Sequence, residues 1–321
     1  TGVQTCALPI SDLLKAAGYK IPGKLGMELD VLPANLYFNY QKIFPKIELA
    51  DISLTIRLVR AVKSLYEIQM IRQASEFADE VTATVKNHLK EGISEIELAG
   101  KIESEARKRG HQGIVRMRMW GGELFYGHIM AGPSAAVPSF LASPTGGSGV
   151  SPAVAQSASL KPICRNEPVL VDYVFVFRGY ISDQTRIFSI GKIEPELEKA
   201  HDSMLELQAR IKKAAVPGVT GSEIFELAAD HVKKAGYYDY FMGVGSQRIK
   251  FVGHGVGLEL DEFPFLARGQ DLPLEKNMTL ALEPKLIFPG KGVVGIENTH
   301  VVENEGLDQL GIFEEQITVL P

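Results

Sequence analysis

The sequence predicts an α+β chain built on a duplicated unit, a helix pair followed by antiparallel strands. Three observations carry that prediction. Two amphipathic helix pairs share one layout of breaker, cap, apolar stripe, basic last turn and glycine. Each pair is followed by β-rich segments. Two of those segments fold back on themselves around turn residues, Arg178-Gly179 and Pro289-Gly290-Lys291.

Composition narrows the class. Of 321 residues, 45% are hydrophobic and 23% charged, with a formal net charge of −5. That is enough apolar surface to fold, which excludes a disordered chain. No apolar run approaches the ~18 residues of a membrane helix. A sequence pI near 5.9 argues against binding a phosphate backbone. With two cysteines, Cys6 and Cys164, a disulfide scaffold is excluded. Thr1–Ile10 (TGVQTCALPI) has neither the basic nor the apolar region of a signal peptide and looks like a translated sequencing adapter. Residues 1–10 are therefore set apart from the fold. Cys164 then remains, which fits a reducing, cytoplasmic setting.

The elements follow in order. Lys24–Val31 reads as a strand, Ala34–Phe44 as a helix and Ile47–Ile52 as a second strand. This β–α–β piece is too small to bury a core alone and is expected to be the tail of a larger domain. Ser64 and Glu67 form a capping box, and Ile68, Ile71, Ala74, Phe77, Ala78, Val81 and Val85 recur at helical spacing. Gly92 is expected to end that helix as a C′ glycine. Ser94 and Glu97 open the next, which runs to Gly110. The layout returns with a helix over 196–215, the breaker Pro217-Gly218, and a helix capped by Thr220 and Glu223 that ends at Gly236. Between the copies, Gly132–Ser159 is rich in Gly, Pro, Ser and Ala and reads as a long irregular loop, a place to suspect function. Trp120, Met117, Met119 and Met130 are expected to pack in the core or under a loop.

The hairpins carry the chemistry. A two-residue turn at Arg178-Gly179 pairs Phe177 with Tyr180, sets Asp172 opposite Thr185 and Asp183 opposite Val174. The two aspartates then share a face within ~8 Å, unless one of them turns to solvent. The Pro289-Gly290-Lys291 loop sets Glu283 opposite Glu297. Four carboxylates in core-like runs repel one another and call for positive charge. Two divalent cations would neutralise them, better than any lysine or arginine pattern nearby. His254 lies between Gly253 and Gly255, so backbone can approach on both sides, and it follows a β-like run. A lone histidine is more often structural than a ligand. Beside carboxylates it completes a donor set suited to Mn2+, Co2+ or Zn2+.

The order Asp-x(10)-Asp, GHGxG, Glu-Pro and a late Glu resembles the pita-bread metallopeptidases, which include methionine aminopeptidase, prolidase and aminopeptidase P, with metal-free creatinase a relative. The resemblance covers Ser64 to the C-terminus. It implies a pita-bread fold of pseudo-twofold, duplicated helix-pair-plus-antiparallel-sheet units over 64–321, preceded over 11–60 by a β–α–β remnant of a creatinase-type N-terminal domain. It implies a dinuclear exopeptidase that hydrolyses X-Pro bonds. Asp172 would chelate one metal, Asp183 and Glu297 would bridge, and His254 and Glu283 would complete the other. Two divalent ions, Mn2+ or Co2+ ahead of Zn2+, would hold the nucleophilic hydroxide, with Glu283 passing the proton. Thr185 and Thr299 would support the ligands. A peptide substrate is implied, and a homodimer when full length.

Three positions depart from the family pattern. Ser139 stands where the stretch GPNAALPH ends in histidine, Asp261 where GLxxHExP has histidine, and Ile296 where arginine often precedes the last glutamate. Serine cannot do an imidazole's acid work, and aspartate is usually anionic. His128 could substitute, although a structural strand histidine is the simpler reading. These departures leave open a hydrolase of another amide and a catalytically silent binding module.

Overall fold

The computed structural model describes residues 10–20, 23–118, 126–138 and 143–321. Cys6, Met119, Trp120 and Ser139 lie outside the described residues. The chain divides into two compact units, Thr1–Val59 and Arg60–Pro321.

The first unit holds α1 (Ile10–Ala16), β1 (Lys24–Met27), α2 (Ala34–Ile43), β2 (Glu48–Asp51) and most of α3 (Ser53–Ala61). β1 and β2 pair in parallel across α2, giving the β–α–β piece expected from the sequence. Among its described residues Phe44 is the only buried hydrophobic side chain, as a piece this small would lead one to expect. Helices α1 and α3 were not anticipated.

The second unit opens with α4 (Leu65–His88) and α5 (Glu95–Lys108). Ser64 and Glu67 make the reciprocal capping box at the start of α4. The C-terminus differs from expectation. α4 stops at His88, and its C-cap Leu89 is extended with its side chain buried, so burial of that leucine ends the helix ahead of Gly92. Gly92, at φ +86°, turns the chain into α5 instead. The strands β3 (Gly127–Ala131), β4 (Val169–Phe177) and β5 (Tyr180–Ile190) follow. With the late strand β13 (Thr318–Leu320) they form a sheet of order β13-β5-β4-β3. Ala74, Ala78, Val81 and Val85 of α4 and Leu98 and Ile102 of α5 pack on this sheet's Val171, Tyr173 and Phe188.

The second copy is α6 (Pro195–Ala214) and α7 (Gly221–Lys234), then β6 (Phe251–Gly255), β7 (Glu262–Ala267) and β8 (Thr279–Leu282). β9 (Lys285–Phe288), β10 (Gly292–Gly295), β11 (Asn298–Glu303) and β12 (Gly306–Gln309) complete it. The larger sheet has the order β12-β11-β8-β6-β7, and β9 and β10 pair as a hairpin. Met204, Leu207 and Ile211 of α6 and Ile224, Ala228 and Val232 of α7 pack against Val252, Leu280 and Leu282. The duplication read from the helix pairs is thus present as two helix-backed sheets. Among the described residues no helix is long and apolar enough to cross a membrane.

Both predicted registers are observed. Phe177 pairs with Tyr180, Asp172 with Thr185 and Val174 with Asp183. The second hairpin pairs Phe288 with Gly292 and Lys285 with Gly295, and the same register continues as Leu282 with Asn298.

The stretch from Gly132 to Ser159 is largely irregular where described, with one 3-10 turn at Gly132–Ala136. Glu95, fully buried at the start of α5, anchors it. One carboxylate oxygen accepts from Ala131 N (2.8 Å) and Ser134 Oγ, the other from Ser159 N (2.9 Å) and Ser159 Oγ (2.6 Å). A buried carboxylate is tolerated when such donors replace water. Replacing Glu95 with alanine would strand two buried backbone N–H groups. The expected loss is about 3 kcal/mol or more in urea unfolding, with faster hydrogen exchange at Ala131 and Ser159.

Candidate metal centre

Two sheets meet where β5 touches the turn into β11. Thr185 and Glu297 exchange backbone hydrogen bonds there, Thr185 N to Glu297 O at 3.2 Å and the return bond at 3.4 Å. Asp172 on β4 and Asp183 on β5 reach this seam from one sheet. His254 on β6, with Glu283 and Glu297 at breaks in the second hairpin, reaches it from the other. Pro284 has no N–H, so the ladder breaks between β8 and β9, and Glu283 N donates instead to Val252 O (3.0 Å) beside His254. Glycines on either side of His254 are required. A Cβ on Gly253 would lie 2.5 Å from Ala281 O, and one on Gly255 2.2 Å from Phe263 O.

Asp183, His254 and Glu297, all buried, each offer a ligand atom within 4.8 Å of the others. Asp183 Oδ1 is buried with no hydrogen-bond partner. His254 Nδ1 lies 3.1 Å from Gly255 O and 3.5 Å from Asp261 Oδ1, and Nε2 faces Glu283 Oε1 at 3.8 Å. A proton on Nδ1 leaves Nε2 as a donor for a metal, the arrangement by which carboxylates and carbonyls orient ligating histidines. An orphaned carboxylate oxygen, an oriented imidazole and a second carboxylate fit a divalent cation.

Sequence reasoning missed Lys285. Its Nζ lies 2.9 Å from Asp172 Oδ2, 2.9 Å from Glu283 Oε2 and 2.6 Å from Glu297 Oε2. The side chain is 1% exposed. From the sequence, nearby lysines are weighed only as a weaker neutraliser than two cations, and one of them, Lys285, reaches three of the four carboxylates. Alternation along a strand was the available signal, since positions 283 and 285 share a face. Burial pushes the Asp183 carboxyl well up, and Glu297 and Asp172 add to it. Burial also raises Glu283, to about 7, although Lys285 pulls the other way. Burial lowers His254, but Asp261, Glu283 and Glu297 outweigh it and the net shift is upward.

The supporting residues are distributed differently from expectation. Thr185, opposite Asp172, donates its hydroxyl to Glu297 Oε2 (2.8 Å). Thr299 accepts from Asp183 N (2.9 Å) and donates to Asp183 O (3.0 Å), fixing that residue through its backbone. Asp261 faces the His254 ring. His128 is a buried strand histidine directly opposite Asp172; Nδ1 meets Thr145 Oγ1 at 2.7 Å and Nε2 is unpartnered. Burial lowers its pKa. Ile296 is fully buried and apolar.

Residues 69–304 match the family described as Metallopeptidase family M24. The chain belongs to that family. Residues 5–62 match the Creatinase/Prolidase N-terminal domain. The Xaa-Pro dipeptidase of Pyrococcus furiosus is 29% identical over 91% of this chain and 75% of its own length. An uncharacterized peptidase of Bacillus subtilis, YqhT, is 28% identical over 95% of this chain and 75% of its own. Among solved structures, the X-Pro aminopeptidase of Thermotoga maritima superposes with a TM-score of 0.81 at 25% identity, covering 97% of this chain and 78% of that one. The metallopeptidase resemblance and the pita-bread fold are thereby borne out.

Two buried charged hubs, one of them paired with neutral acceptors, hold the candidate site in place. Arg186, one residue beyond Thr185, spends its guanidinium donors on Thr185 O, Glu297 O, Asn298 Oδ1, Phe313 O and Glu314 O, at 2.8–3.0 Å. Burial lowers its pKa to about 10. Lysine has three donors in place of five, so Arg186→Lys leaves buried acceptors unpaired and should cost at least about 2 kcal/mol in urea unfolding.

Glu262 is the second hub. It binds Arg60 and Lys63 and accepts from Leu258 N (2.9 Å) and Glu259 N (3.1 Å), shaping the loop that carries Asp261. Burial raises Glu262, but Lys63 and Arg60 outweigh it and its pKa falls below the ordinary 4.5. Its stabilising contribution is full above pH 4.5 and is lost as pH falls through the lowered folded value. Glu262→Gln, which leaves Lys63 buried without its counter-charge, should cost about 3–5 kcal/mol near neutral pH. In unfolding followed against pH, the variant should show a smaller loss of stability on the acid limb than the parent.

Proposed function

We propose that the chain is a metal-dependent exopeptidase that hydrolyses the bond before proline, releasing an N-terminal residue or splitting an X-Pro dipeptide. The observation that carries this reading is the buried convergence of Asp183, His254 and Glu297, with Asp172 and Glu283 alongside. The X-Pro activities for which two relatives are named support the substrate class.

A divalent cation bound here supplies a water of lowered pKa and a Lewis acid for the scissile carbonyl. The chain's own groups do the rest. Asp183, His254 and Glu297 would hold the ion. Thr185 fixes Glu297, and Gly255 O with Asp261 fixes the His254 ring. Glu283 would accept the proton of the attacking water at Oε1 and pass it to the leaving amine. The sequence reading expects two ions, Mn2+ or Co2+ ahead of Zn2+. The oxygens that a second ion would need on Asp172 and Glu283 are bonded to Lys285.

Asp261, an acid where the family pattern has histidine, favours a second reading in which the amide substrate is not an X-Pro peptide. The test is hydrolysis of X-Pro dipeptides, X-Pro-X tripeptides and a panel of small amides by protein loaded with Mn2+ or Co2+. Turnover of X-Pro peptides is expected. Turnover of other amides alone would replace the first reading with the second, and no turnover with metal bound would leave a binding module. In Asp183→Ala, loss of a ligand should lower metal affinity by more than about 100-fold, with activity lost and the fold retained.

A further inference from the structure

We propose that Lys285 stands in for a second metal: the centre takes one divalent ion, on Asp183, His254 and Glu297, and the lysine ammonium fills the position between Asp172, Glu283 and Glu297. The inference rests on the metal-dependent reading above and specifies its cofactor.

An ammonium has three N–H donors and no acceptor. Here all three are used, on carboxylates from three separate segments at 2.6–2.9 Å. The oxygens engaged are Asp172 Oδ2, Glu283 Oε2 and Glu297 Oε2, and the last also accepts from Thr185. A second cation would have to displace the ammonium from these same atoms.

The stem is accommodated by the strand opposite. Lys285 sits on β9 opposite Gly295, and a Cβ on that glycine would lie 2.7 Å from Lys285 Cα and 3.1 Å from its Cγ. Gly295, at φ +146°, thus leaves the room the stem occupies. Among the described residues, the ion pairs of Lys285 are all with these three carboxylates.

The other side of the cluster is different. Asp183 receives no bond from Lys285, and its Oδ1 has no partner. Among the described residues, Asp183, His254 and Glu297 each offer a ligand atom close enough to share one ion. Because every Lys285 donor is committed, the lysine is a positioning residue and not a catalytic one.

The experiment is a count of tightly held Mn2+ on the full chain, by elemental analysis after dialysis, together with the Mn2+ electron paramagnetic resonance spectrum. The parent is expected to retain one ion per chain with the six-line spectrum of an isolated centre. Lys285→Ala is expected to retain two, with the spectrum of a coupled pair. Two ions in the parent, or one in folded Lys285→Ala, would overturn the inference. Should that variant not fold, the parent's count decides alone, one ion supporting and two overturning. No bound Mn2+, Co2+ or Zn2+ in the parent would overturn the metal-dependent reading as well, while two would leave that reading standing.

Discussion

Four carboxylates gathered in one seam, three of them buried and Asp172 partly so, are the constraint to which the rest of this protein answers. Like charges at such separations raise one another's energy, and burial removes the water that would screen them. Opposing charge must therefore be built in. Lys285 supplies part of it from within the strand that follows Glu283. Thr185 supplies a hydroxyl donor to Glu297, and backbone pairing between Thr185 and Glu297 ties one sheet to the other. The seam between the duplicated halves is thus held by the groups that form the site, so positioning and chemistry cannot be separated there.

The surrounding structure is organised to keep these donors from moving. Arg186 holds the carbonyls of Thr185 and Glu297 while also reaching Phe313 and Glu314, so the backbone behind the centre is fastened to a distant segment. Glu262 does comparable work for the loop bearing Asp261, with Arg60 and Lys63 as its counter-charges. Buried ion pairs contribute little net stability on average, yet losing one partner is costly. That asymmetry suits a site whose geometry must be unique more than it must be stable.

Much of this was legible in the sequence, for definite reasons. Turn chemistry at Arg178-Gly179 and at Pro289-Gly290-Lys291 fixed both registers, and a strand's period of two then placed Asp172, Asp183, Glu283 and Glu297. Capping boxes marked α4 and α7. What escaped depends on long-range partners. Lys285 and Arg186 are charged residues, which composition alone assigns to the surface, and only the meeting of two sheets shows them buried. The early end of α4 follows from burial of Leu89, a tertiary effect that outweighs the local signal of Gly92. The Thr299 bonds to the Asp183 backbone cross 116 positions and have no local signature.

The strand β13 gives the architecture a temporal consequence. It runs parallel to β5, with Thr318 beside Phe188 and Leu320 beside Ile190, on the strand that carries Asp183. Its edge of β5 stays unpaired until residues 318–320 have been made. On a ribosome, where chains emerge N-terminus first at roughly 5–20 residues per second, Asp183 is out many seconds before that edge can close. The helix pair α4–α5 and the β3–β4–β5 hairpins can assemble early, but their acidic face waits for Glu283, Lys285 and Glu297 and their outer edge for β13. Because its internal cation arrives in the same stretch of chain as two of the acids it neutralises, the nascent protein is never asked to hold all four carboxylates without it.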